Sequence, residues 1–209
     1  MSPSETLATH EISMPALSPH LILASSSPYR RALLERFPVE FEAISPNVDE
    51  QALAGETPAQ LAGRLAEVKA QAVAARHPAA VIIGSDQVAD LNGHALGKPG
   101  DHATAVRQLN DCSAQAVVFH TAVSVVCQQA GFTELHTDTT TVNFRQLKQA
   151  DIDAYLQLEK PWDCAGSFKV ESMGPLLFES VVSSDPTGLI GLPLIWLTGS
   201  LQRAGIRLL

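Results

Sequence analysis

Val81-Ile82-Ile83-Gly84-Ser85-Asp86-Gln87 is an apolar run that stops abruptly at a glycine, a hydroxyl, a carboxylate and an amide. Four successive residues of β-branched or small apolar type are the pattern of a strand covered on both faces, as in the sheet of an α/β protein. The polar residues that follow cannot all be covered, so the run places Asp86 at the C-terminal end of its strand. In open α/β sheets that edge is where ligands bind, and a carboxylate held there by rigid backbone is a candidate for chemistry. It is equally suited to capping a turn.

A second short apolar run, Leu21-Ile22-Leu23-Ala24, leads into Ser25-Ser26-Ser27-Pro28-Tyr29-Arg30-Arg31 and then an apolar-periodic segment from Ala32 to Phe37. Ser27 as N-cap with Pro28 at the first helical position reads as strand, hydroxyl-rich turn, helix. The free N–H groups and the positive end of such a helix, with three hydroxyls and two guanidinium groups around them, form a plausible phosphate cradle.

Further along, Phe41 to Asn47 reads as a strand, and Val48-Asp49-Glu50 sets two acids in a loop that either only solvate it or help hold a divalent cation. Thr57-Pro58-Ala59-Gln60 is a capping box opening a helix to about Arg76, with Leu61, Leu65, Val68 and Ala72 as its apolar stripe. Lys69 sits beside that stripe, placed to snorkel or to reach a cleft. Asn92-Gly93 marks a hairpin turn, and Pro99 ends the return just after Lys98. A helix over Ala103–Leu109, paired strands over Val117–Val126 and Thr137–Phe144, a helix over Ala150–Leu158, a strand over Leu176–Val182 and a last helix ending near Ala204 complete a mixed α/β pattern. Residues 1–20 show neither period and read as a flexible leader, with Met14 as an alternative start, ahead of one domain over 21–209.

Composition narrows the partners. With 209 residues, 45% of them hydrophobic and 17% charged, the chain can bury a real core. Its apolar runs fall short of the roughly 18 residues that cross a bilayer, and the N-terminus lacks a basic region followed by an apolar one. A net charge of −8 disfavours sequence-independent nucleic-acid binding, so an anionic ligand must meet local positive charge. Cys112, Cys127 and Cys164 are odd in number, far apart and without CxxC spacing, which fits a reducing cytoplasm better than a disulfide framework or a zinc site.

Seven of these stretches together carry a resemblance. Leu23 to Arg31, Val48-Asp49-Glu50, Lys69-Ala70, Gly84-Ser85-Asp86, Gly97-Lys98-Pro99, Ala165-Gly166 and Gly191-Leu192-Pro193 look like the successive motifs of the Maf-like nucleotide pyrophosphatases, in the same order. The resemblance implies a mixed, strongly twisted sheet flanked by helices, with a nucleotide cleft between two lobes. It also implies cleavage of a nucleoside triphosphate to monophosphate and pyrophosphate with a divalent cation, magnesium, manganese or cobalt. The family's general base falls on Asp86, its metal-binding acid on Glu50, and its phosphate contacts on Ser26, Arg30, Lys69 and Lys98. A homodimer is a further expectation.

Three positions bear on the base. The branch of the family acting on dTTP and UTP has arginine, threonine and glutamine where this chain has Tyr29, Gln87 and Glu171; the chain is more similar to the branch acting on 7-methyl-GTP. Methylation at N7 leaves guanine cationic, so an aromatic face such as Tyr29 contributes roughly 1 to 2 kcal/mol when desolvated. Glu171 can accept two hydrogen bonds from guanine's Watson–Crick edge and balance the ring's charge. The alternatives are a dTTP/UTP pyrophosphatase of the same family and a nucleotide-binding regulator of septum formation.

Overall fold

The computed structural model describes residues 19–209. The expected leader lies outside them except for its last two positions. Strand β1 (Leu21–Ala24) leads into helix α1 (Pro28–Leu34), with Ser27 as N-cap and Pro28 in the first turn. The Phe41–Asn47 expectation shrinks to a two-residue strand, β2 (Glu42–Ala43), because only Glu42 and Ala43 find partners on β1 before the chain turns away. Helix α2 (Pro58–Ala74) starts with the expected capping box: Gln60 N–H donates to Thr57 Oγ1 and Thr57 N–H to Gln60 Oε1.

Strand β3 (Val81–Leu91) runs to the Asn92-Gly93 turn and pairs there with β4 (His94–Leu96). Both turn residues have positive φ, as a two-residue hairpin requires. Helix α3 (His102–Cys112), the long strands β5 (Ala116–Cys127) and β6 (Phe132–Phe144), helix α4 (Gln149–Glu159), strand β7 (Phe178–Ser183) and helix α5 (Leu194–Arg203) follow. Leu176 and Leu177, expected to start the strand over Leu176–Val182, belong instead to a short 3₁₀ turn, Gly174–Leu177. The seven-stranded sheet has the order β2-β1-β3-β5-β6-β7, parallel from β2 to β3 and antiparallel beyond, with β4 on the free side of β3. This is the mixed α/β architecture expected from the alternation of buried runs and helices.

The sheet carries two lobes. One core gathers β1, α1 and α5 around Leu23, Leu34, Ile83, Leu192 and Leu197. The other gathers α3, α4 and the far ends of β5 and β6, where Phe168 meets Phe119, Phe144 and Phe178 edge-to-face at centroid distances of 4.8 to 5.7 Å. Helix α2 covers the first half of β3 with small residues: Ala62, Ala66, Ala70 and Val73 are fully buried. The expected stripe is therefore rotated. Val68 is 37% exposed, and Lys69 lies on the buried face at 5% exposure. A stripe counted from large side chains missed this because close helix-on-strand packing selects small ones.

One register detail positions everything that follows. Strand β1 ends where Ala24 pairs with Gly84, and β4 joins only where Leu96 pairs with Ala89. Between them, Ser85, Asp86, Gln87 and Val88 are paired to β5 on one side and to no strand on the other. Asp86 is thus in the middle of a long strand, not at its end as the polarity break suggested. The ligand edge exists because the neighbouring strand stops, which the sequence of β3 cannot reveal.

Candidate active site

At the end of β1 the chain leaves the sheet through its three serines, and two of them are used by the turn itself. Ser25 Oγ accepts from Ser27 N–H at 3.1 Å, and Ser27 Oγ accepts from Arg30 N–H at 3.4 Å. Ser26 Oγ has no protein partner among the described residues and faces the cleft, so of the cradle's hydroxyls it is the one free for a phosphate oxygen. Arg30, one turn into α1, donates from Nε to Gly191 O at 2.9 Å. Burial pulls the guanidinium below its ordinary pKa, opposed by the nearby Asp86 and Glu50. Its two terminal nitrogens have no protein partner among the described residues.

Lys69 arrives from the other face of the gap. Its Nζ lies 2.6 Å from Asp86 Oδ1 and 2.9 Å from Glu50 Oε1, joining the two acids through one ammonium. Lys69 and Asp86 are buried, whereas the Glu50 side chain is half exposed. Of the two readings open from sequence, Lys69 reaches the cleft, and the buried contact with Asp86 answers why a lysine sits on the covered face of a helix. Asp86 Oδ2 is left without a protein partner among the described residues. The Glu50 loop is itself tied down by Arg64, which donates to both Glu56 carboxylate oxygens at 2.6 and 2.8 Å and to Gln51 O at 2.9 Å. Lys98 lines the cleft from the end of the hairpin, exposed.

The cleft, about 640 Å³, extends from these charges to an aromatic and acidic half made by Tyr29, Phe119, Asp163, Cys164, Phe168 and Glu171. Burial raises the Tyr29 phenol well above its ordinary pKa, and Cys164, Asp163 and Glu171 add to the shift. Burial likewise pushes the Cys164 thiol up to about 11, which disfavours the thiolate. Tyr29 and Glu171, chosen from sequence for the base, thus line the same half. Gln87 does not project freely beside them: its Nε2 donates to Thr121 Oγ1, Gly188 O and Leu189 O at 2.9, 3.1 and 2.9 Å. Ser85 and Thr121, both fully buried, were not singled out from sequence. A hydroxyl inside an apolar strand signals a fixed partner, and for Ser85 that partner is Gly191 O at 3.0 Å. Thr121 becomes visible only through the register that sets it opposite Gln87.

Residues 20–204 match the profile of the family described as Maf-like protein. The chain belongs to that family. Among its Maf-like relatives, a protein named 7-methyl-GTP pyrophosphatase from Albidiferax ferrireducens is 55% identical over 90% of this chain and 95% of its own length. Proteins of the same name from Cupriavidus metallidurans and Xanthomonas axonopodis pv. citri are 52% and 53% identical, covering 90% and 91% of this chain and 94% and 99% of their own. No helix among the described residues of this Maf-like chain is long and apolar enough to cross a membrane.

The donor set fits a magnesium-type cation. Such an ion takes one or two protein carboxylates and completes its shell with water and phosphate oxygens. The half-exposed Glu50, with one carboxylate oxygen on Lys69, supplies a hard oxygen donor at the cleft, and among the described residues no group of three or more His, Cys, Asp or Glu would cage a metal without the substrate.

Proposed function

We propose that this chain hydrolyses 7-methyl-GTP to 7-methyl-GMP and pyrophosphate in the cytoplasm, with a divalent cation, and so removes a modified nucleotide before it reaches RNA. The observation that carries the reading is the Lys69 bridge between Asp86 and Glu50, set across the strand gap from the Ser26–Arg30 turn. The names of the relatives and the aromatic, acidic half of the cleft support the choice of base.

Ser26, Arg30 and Lys98 bind the triphosphate from three sides. Cleavage between the α and β phosphates needs an in-line water and a base for its proton. Lys69 fixes Asp86 through Oδ1, and the free Oδ2 takes that proton. Arg30, aimed by Gly191 and without another side-chain partner among the described residues, faces the oxygens on which negative charge accumulates. Glu50 would hold the cation, which would neutralise phosphate charge when bound. Tyr29 stacks on the cationic purine while Glu171 balances its charge; a uracil carbonyl would be repelled by the same carboxylate.

Pyrophosphate release from 7-methyl-GTP, GTP, dTTP and UTP with magnesium, manganese or cobalt tests the reading. The highest kcat/KM is expected for 7-methyl-GTP; a higher value for dTTP or UTP overturns it.

A further inference from the structure

Gln87 stands next to the proposed base Asp86 and its side chain reaches the floor of the cleft, yet its amide nitrogen is fully engaged by the protein. Two N–H bonds meet three acceptors: Thr121 Oγ1, Gly188 O and Leu189 O. Thr121 Oγ1 in turn donates to Gly188 O at 2.9 Å, and Ser85 Oγ donates to Gly191 O at 3.0 Å. Three side chains on adjacent strands thus hold three carbonyls of one short segment, residues 188–191. The last of those carbonyls is the one on which Arg30 Nε rests at 2.9 Å.

The segment has little freedom apart from these bonds. Gly191 sits at φ 127°, a conformation rare for other residues, and a Cβ there would lie 3.5 Å from Arg30 Cγ and Nε. Gly188 approaches Asp138 so closely that a Cβ would overlap its carboxylate. Gly188 O also accepts from Thr121 Oγ1 and from Gly191 N–H, and Gly191 O from both Ser85 and Arg30, but Leu189 O accepts only from Gln87 Nε2 among the described residues, so loss of that amide leaves the carbonyl of the buried Leu189 unpaired. Such a carbonyl costs enough for the segment to move.

We infer that Gln87 is a positioning residue for the phosphate half of the cleft: together with Ser85 and Thr121 it sets the 188–191 carbonyls and thereby aims Arg30 at the triphosphate. This rests on the proposed reaction and changes where Gln87 acts in it. A residue that reads the base alters which nucleotide is preferred. A residue that aims Arg30 alters catalysis on every nucleotide alike.

Gln87→Glu and Gln87→Leu separate the two. The glutamate variant keeps an oxygen able to face a base but replaces the donating nitrogen with an oxygen set against three acceptors; the leucine variant removes both. Each is assayed for kcat/KM on 7-methyl-GTP and GTP, for inhibition by inorganic pyrophosphate and for inhibition by 7-methylguanosine. Both variants are expected to lose on the order of tenfold or more in kcat on both nucleotides, with the ratio between them unchanged. Pyrophosphate inhibition weakens in parallel and 7-methylguanosine inhibition stays as in the parent, which general loosening of the fold would not produce. A changed nucleotide ratio with pyrophosphate inhibition intact, or a glutamate variant that behaves as the parent, overturns the inference. If neither variant folds, Thr121→Val removes the hydroxyl that links Gln87 to Gly188 and is read by the same measurements. Failure of the parent to hydrolyse 7-methyl-GTP sinks the proposed substrate instead, and pyrophosphate binding to parent and variants, measured by calorimetry, then decides the role of Gln87: weaker binding in the variants supports it and equal binding overturns it.

Discussion

Gly84 on β3 and Ala70 on α2 touch backbone to backbone: a Cβ on Gly84 would lie 2.5 Å from the Ala70 amide nitrogen and 2.8 Å from its Cβ. That approach seats α2 low on the sheet, and Lys69, the residue before Ala70, then meets Asp86 two positions after Gly84. The buried ion pair depends on a missing side chain.

Gly84→Ala is expected to push α2 away from β3. Overpacking of this kind costs about 1–3 kcal/mol, and a displacement near 1 Å at a reacting group costs about a hundredfold in rate. Urea unfolding and pyrophosphate release check both. A variant as stable and active as the parent would show that the helix can shift without disturbing Lys69.

Asp86→Asn is nearly isosteric and leaves Oδ1 in place for Lys69, but removes the charge that accepts a proton. Turnover is expected to fall by roughly 10²–10⁴-fold. Nucleotide binding, measured by calorimetry, is retained because Ser26, Arg30 and Lys98 are untouched. Turnover within a few-fold of the parent would rule Asp86 out as the base.

Glu171→Gln keeps the hydrogen-bonding shape and loses the charge. The preference for 7-methyl-GTP over GTP is expected to drop by about tenfold, near 1.4 kcal/mol. Equal losses on both nucleotides would instead assign Glu171 a purely structural part.

Acid should loosen the Glu50 loop through Glu56. Its carboxyl is held at about 2, against an ordinary 4.5, chiefly by the Arg64 hydrogen bonds and then by the Leu53 N–H. A group whose folded pKa is depressed stabilises the native state above its ordinary value, and that contribution is lost as pH falls from 4.5 toward 2. Glu56→Gln should therefore lower stability at neutral pH and flatten its decline across that acid window. Urea midpoints at several pH values check this; parallel profiles for parent and variant would contradict it.

Local chemistry was readable from the chain. Ser27 and Pro28 start α1, Thr57 and Gln60 cap α2, and Asn92-Gly93 turns the hairpin, because each rests on contacts within a few residues. The two apolar runs, Leu21–Ala24 and Val81–Gly84, became neighbouring strands for the same reason: each can be buried only between layers. What the sequence could not state was distance across the fold. Where Asp86 stands relative to its strand was decided by β1 stopping at Ala24, the face Lys69 occupies by the close seat of α2 on Gly84, and the partner of Gln87 by the β3–β5 register and the returning 188–191 segment. Burial and propensity are properties of a residue and its near neighbours along the chain. A gap between strands or a shared carbonyl belongs to pairs of segments, some as far apart along the chain as Thr121 and Gly188, 67 residues, and only packing brings them together.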